Sequence, residues 1–149
     1  LAVPRALPVN EKAAAFRLSA KELPQAGAPC VPLELFADTP FLLLKEGNDT
    51  RRRAKQLCAQ AGFEPKIRLA LDQQLAAYNL ASYGLGAAFI SDTLALSAPP
   101  DERLVYYRID SPDVERSIRL FYKRTRVLTA PMRALLDMLD RSKGRPKDD

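Results

Sequence analysis

Four consecutive apolar residues, Phe41, Leu42, Leu43 and Leu44, precede the polar cluster Lys-Glu-Gly-Asn-Asp-Thr at 45–50. An apolar run this short, without alternation, fits a strand over 41–44 that is buried on both faces. The spacing then changes. Ala54, Leu57, Cys58 and Ala61 recur at i, i+3, i+4 and i+7. That predicts a helix over 50–61, with Gly62 as its C-terminal cap. A second strand is expected over 67–71. Asp72 then caps a helix over 73–83, with Ala76, Leu80 and Tyr83 on one side and Gly84 at its end. Residues 87–90 read as a third strand, and Ser91, Asp92 and Thr93 as the next helix cap.

Short strands alternating with helices imply a parallel sheet with right-handed crossovers. The carboxyl ends of such strands share one edge, so loops 45–49, 72–74 and 91–93 should meet there. Each loop feeds a helix start, whose first N–H groups lack intrahelical partners and suit polar or anionic ligands.

The flanks read differently. Pro4, Pro8, Pro24, Pro29, Pro32 and Pro40 keep the first forty residues mostly extended or turn-like, with a short helix around 11–16. Strands are expected over 104–109 and 118–122, joined through Asp-Ser-Pro-Asp. Thr129 caps a last helix over 130–141, with Pro131 in its first turn and an apolar stripe of Leu135, Met138 and Leu139.

Composition narrows the classes. The 149 residues are 47% hydrophobic, enough for one domain with a true core. A net charge of +5 admits a negatively charged partner without naming one. There is no histidine, which excludes Cys/His zinc sites and imidazole triads. Cys30 and Cys58 have no C-x-x-C spacing and fit a reducing cytoplasm. No apolar run approaches the roughly 20 residues that span a bilayer. The chain opens without Met in a strand-like segment, which reads as a piece of a longer protein, and 142–149 reads as a disordered tail.

The candidate chemistry starts at Gly47, Asn48 and Asp49, with Arg51, Arg52 and Arg53 directly behind. Cations in a helix first turn oppose the helix dipole, so something must offset them or they must point away. At about 100° per residue the three cannot all face one site, so at most one or two serve it. The bland account of the loop is a turn at Gly47 and a cap at Asn48 or Asp49. A cap with spare N–H groups can still bind a ligand. Gln73 and Gln74 place two amides in another first turn, where polar residues are also ordinary. Tyr78 and Tyr83 read as core or interface. Gly-Leu-Gly at 84–86 lies between a helix and the next strand, the reverse of a dinucleotide fingerprint. Asp38, Asp72 and Asp92 form no marked acid–base pair, and Ser91 lacks a nucleophile elbow. No enzyme, metal or cofactor is expected, nor a nucleic-acid surface on these residues.

The assembled order, PFLLLKEGNDTRRRAKQLCAQAGFEPKIRLALDQQLAAYNLASYGLGAAFISDTL followed by LVYYRID, RSIRLFYKR and LTAPMRALLDML, resembles the regulatory domain of LysR-type transcriptional regulators over about residues 1–141. The resemblance implies an α/β fold like type 2 periplasmic binding proteins, with an effector held between two lobes. On that pattern 1–35 would end the first lobe and form the hinge, and 36–110 would be a complete second lobe with a parallel-cored mixed sheet. Residues 111–141 would return to the first lobe. The family's effector loops correspond here to 46–50 and 72–74, which nominates Gly47, Asn48, Asp49, Thr50, Gln73 and Gln74. One of the three arginines would help hold an anionic effector. Partners would be a small metabolite, further copies in a dimer or tetramer, and DNA through an N-terminal helix-turn-helix not among these residues. A solute-binding lobe of a transport system is the alternative. With most of the first lobe missing, Leu1, Val3, Ile118, Leu120, Leu135 and Leu139 are expected to be partly exposed and to favour self-association.

Overall fold

Side chains on a strand alternate between faces, and in this protein both faces are covered. Phe41 and Leu43 enter one core cluster with Leu1, Val3, Val105 and Tyr107, while Leu42 enters another with Ala2, Leu104 and Tyr106. Ala87 and Ala88 divide the same way. That two-sided burial is why the run at 41–44 carries no polar position. The computed structural model describes residues 1–25, 27–114, 121, 123, 125 and 127–142.

The elements are β1 (Ala2–Pro4), α1 (Val9–Lys12), β2 (Pro40–Leu44), α2 (Asp49–Gln60), β3 (Lys66–Leu71), α3 (Gln74–Ser82), β4 (Ala87–Ala88), α4 (Asp92–Ser97), β5 (Leu104–Tyr106) and α5 (Ala130–Ser142). Short 3-10 turns lie at Ala14–Phe16, Leu33–Phe36 and Pro112–Val114. The sheet order is β3-β2-β4-β1-β5. β2 pairs in parallel with β3 and β4, and β1 pairs antiparallel with β4 and β5. This is a mixed sheet, parallel over β3-β2-β4 and antiparallel over β4-β1-β5, as the resemblance rather than the strand–helix alternation alone implies. α2 packs its Ala54, Leu57 and Cys58 on one face, and α3 packs Ala77, Tyr78 and Ala81 on the other with Ala95 of α4.

Leu1–Arg116 forms one compact unit and Ser117–Asp149 a second. The first unit has no break at residue 35. β1 is an inner strand of the same sheet as β2–β5, so Leu1 and Val3 are fully packed rather than partly exposed. The physical reason is pairing on both sides: Ala2 faces Ala88 in β4 and Tyr106 in β5. Buried Asn10 anchors this opening segment. Its Nδ2 donates to the carbonyls of Pro4, Leu7 and Arg5 at 2.8, 2.9 and 3.0 Å, and its Oδ1 accepts from Tyr107 Oη at 2.8 Å.

Other expectations shift. β4 ends at Ala88 rather than 90, and β5 at Tyr106 rather than 109. The buried side of α3 is Ala77, Tyr78, Ala81 and Ser82, with Leu80 partly buried against the same cluster, rather than the side carrying Ala76 and Tyr83. Alanines let the helix approach the sheet closely, and Tyr78 Oη meets Tyr106 Oη at 2.9 Å inside. Tyr83 is 71% exposed and carries the Arg103 guanidinium over its ring at 4.9 Å. The short helix expected around 11–16 is divided, α1 running from Val9 to Lys12 and a 3-10 turn from Ala14 to Phe16. In the second unit, Leu135, Met138 and Leu139 of α5 are exposed. The strand expected over 118–122 and the tail at 143–149 lie outside the described residues, apart from Phe121.

Candidate functional site

The loops after β2, β3 and β4 leave the sheet at its carboxyl edge. α2 covers one face and α3 and α4 the other, so the loops part at this edge. A packing gap too small to admit a water molecule lies there between Leu42, Leu43, Leu44, Thr50, Arg51, Ala77 and Phe89.

The loops are tied to one another. Lys45 Nζ meets both carboxylate oxygens of Asp72 at 2.9 and 3.0 Å, linking the first loop to the second. Both side chains are exposed, so the pair orients the loops more than it stabilises them. Gln74 Nε2 donates to the carbonyl of Phe89 at 3.3 Å, and its Oε1 accepts from Ser91 Oγ at 3.2 Å, linking the second loop to the third.

The first loop folds as its residue types dictate. Gly47 adopts φ +83, a left-handed turn that suits a residue without Cβ. Asn48 is the N-cap of α2, its Oδ1 accepting from the Thr50 N–H at 2.9 Å. Asp49 in the first turn accepts from Arg53 Nε at 2.7 Å and from Arg52 Nη2. Hydrogen bonds from Arg53 and then Arg52 hold its carboxyl below the usual carboxylate range. Arg51 turns the other way. Its Nη1 donates to the carbonyl of Leu44, the last residue of β2, at 2.9 Å. The side chain is only 14% exposed, with Glu46 Oε1 3.6 Å away.

The second loop departs from expectation. Asp72 does not cap α3 and pairs with Lys45 instead. The N-cap is Gln73, and no side chain hydrogen-bonds to that helix start. At α4, Ser91 Oγ accepts from the Leu94 N–H at 3.2 Å.

The nominated residues therefore gather on one edge but in different states. Gly47, Asn48, Asp49 and Gln73 are exposed, while Thr50 and Gln74 are half-buried. Thr50 borders the packing gap beside Arg51, and Gln74 is engaged as a tie between loops. Sequence reasoning missed Phe89, which stacks on Phe41 at 5.6 Å. Its one signal was an aromatic at the carboxyl end of a strand. Among the described residues no group of His, Cys, Asp and Glu could hold a metal ion, and no helix is long and apolar enough to cross a membrane.

The LysR substrate binding domain model matches residues 16–143. The chain is 33% identical over 103 residues to the uncharacterised HTH-type transcriptional regulator YcgK of Bacillus subtilis, covering 68% of this chain and 31% of that protein. It is 27% identical over 103 residues to the DNA-binding transcriptional dual regulator OxyR of Escherichia coli, covering 67% and 33%. It thus spans about a third of the length of these curated relatives. Its fold matches the regulatory domain of Synechocystis PCC6803 CcmR, solved in complex with 2-PG, at TM-score 0.67 and 19% identity, over 97% of this chain and 62% of that one.

Proposed function

Because this chain belongs to the LysR substrate-binding-domain family, we propose that it senses a small polar or anionic metabolite at the carboxyl edge of its sheet. The parent protein would convert this binding into a change in how it holds DNA. The observation that carries the reading is the shared edge itself. Three tied loops bring the mostly buried Arg51 and the uncapped start of α3 to one edge. The first-turn N–H groups of α3 and the positive end of its dipole favour an anionic or carbonyl oxygen. Gln73 and Asn48 would supply amide contacts from the two loops, with Thr50 beside Asn48. A ligand bound between lobes biases the parent only through its differential affinity for closed and open states. Assembly into dimers or tetramers, a helix-turn-helix outside these residues and a cytoplasmic location belong to the same proposal.

A thermal-shift screen of the full-length parent against small carboxylates, amino acids and phosphorylated acids tests it. Asn48→Ala lowers the baseline melting temperature by removing a cap worth about 1 kcal/mol. The relevant readout is therefore the ligand-induced increment. A hit should lose roughly tenfold in affinity in Asn48→Ala and again in Gln73→Ala, as for a hydrogen bond to a charged group. A hit untouched by both would place the site elsewhere.

The CcmR domain, which shares this fold, was solved in complex with 2-PG, so 2-PG belongs among the first probes of the screen. The hydrogen peroxide response in the names of two Escherichia coli relatives has no such support at Cys58. Cys58 is buried and desolvation pushes its thiol up to about 12, so it carries almost no thiolate at neutral pH. A thiol-specific chromogenic reagent should titrate Cys30 in the native chain and reach Cys58 only on unfolding. Fast labelling of both would contradict that burial.

A further inference from the structure

Three consecutive arginines have two different fates. Arg52 and Arg53 both donate to Asp49, one carboxylate answering two guanidinium groups on the solvent side of α2. Arg51 instead reaches back to the sheet edge, where Nη1 meets the Leu44 carbonyl and Nη2 lies 3.6 Å from Glu46 Oε1. We propose that Arg51 selects for an anionic group on the effector, and that Glu46 stands in for that group until the ligand displaces it. The proposal rests on the reading of this edge as an effector site.

The geometry supports each half. A guanidinium presents five N–H donors in a planar fork that matches carboxylate or phosphate oxygens two at a time. One bond to Leu44 fixes the fork in place, which lowers the ordering cost of a second partner. Glu46 Oε1 lies 3.6 Å from Nη2, beyond hydrogen-bond length, so it supplies charge without a bond. Its side chain is 90% exposed and leaves for water at little cost, whereas Arg51 at 14% is screened far less. A ligand anion that makes hydrogen bonds to Nη2 therefore outcompetes a carboxylate that makes none. Lysine could not substitute, because a point charge gives no fork.

The test uses the whole chain and simple probes: acetate, inorganic phosphate and the neutral acetamide, followed by NMR of the Arg51 Nε–H and of the first-turn amides of α3. Both anions should shift these resonances saturably, with acetamide leaving Arg51 unmoved. Glu46→Gln should tighten anion binding roughly two- to fivefold, the range of one exposed ion pair. Arg51→Gln should weaken it by about tenfold or more, with Arg51→Lys recovering only part. Unchanged affinity in Glu46→Gln would overturn the displacement. Saturable shifts at α3 that survive Arg51→Gln would overturn selection by Arg51 while keeping the edge as a site. Absence of any anion response would overturn the proposal, and the metabolite screen then separately decides whether the edge binds at all.

Discussion

Gly86→Ala is expected to destabilise the protein by roughly 3 kcal/mol or more, because two costs fall on one methyl group. Gly86 has φ +156, a backbone conformation that residues with a Cβ rarely adopt. A Cβ built there would also sit 2.6 Å from the Pro40 carbonyl oxygen and 3.1 Å from its carbon. Both are main-chain atoms at the start of β2, which is paired to β3 and β4 and cannot retreat. Gly47→Ala gives the contrast. It has φ +83 but nothing within 4 Å of a built Cβ, so only the left-handed strain of about 1–2 kcal/mol applies. Chemical denaturation of the two variants checks the difference. A Gly86→Ala protein within about 1 kcal/mol of the parent chain would mean that the sheet yields at its centre.

Gly86 also marks how far the sequence could be read. Its place between a helix and a strand was legible, and that order excluded a dinucleotide loop. The close approach to Pro40 was not, since it depends on which strands become neighbours. The same division runs through the site. The Asn48 cap, the Gly62 and Gly84 helix ends and the meeting of three loops on one edge follow from local residue types and from the rule that parallel strands share an edge. The helix ends at φ +81 and +86 agree with that reading. Asp72 failed as a cap because α3 starts one residue later than expected, with Gln73 at the cap, while Asp72 pairs with Lys45, twenty-seven positions earlier in sequence. Gln74 was legible as a polar first-turn residue, but its engagement by Phe89 and Ser91 depends on β4 lying beside β2. Arg52 and Arg53 are fixed by one carboxylate, Asp49, and Arg51 by the Leu44 carbonyl, partners that can be recognised only once side-chain directions are known. β1 was legible only as a strand-like opening: Ala2–Pro4 is too short for a periodic signal, and its place inside the sheet is decided by partners more than eighty residues away.

That inner position produces the second large effect, at buried Asn10. Its Nδ2 donates to the carbonyls of Pro4, Leu7 and Arg5, and its Oδ1 accepts from Tyr107 Oη. The side chain is buried, so a substitution removes these bonds where water cannot replace them. Asn10→Ala is expected to destabilise the chain by roughly 3 kcal/mol or more, the lost bonds and the cavity acting together. Asn10→Asp keeps an acceptor for Tyr107 Oη but turns an oxygen toward three carbonyls, so it should fare no better. Urea unfolding of the two variants checks the expectation. A loss within about 1 kcal/mol would mean that the turn after β1 holds without Asn10, and that β1 is kept in place by its pairing to β4 and β5 alone.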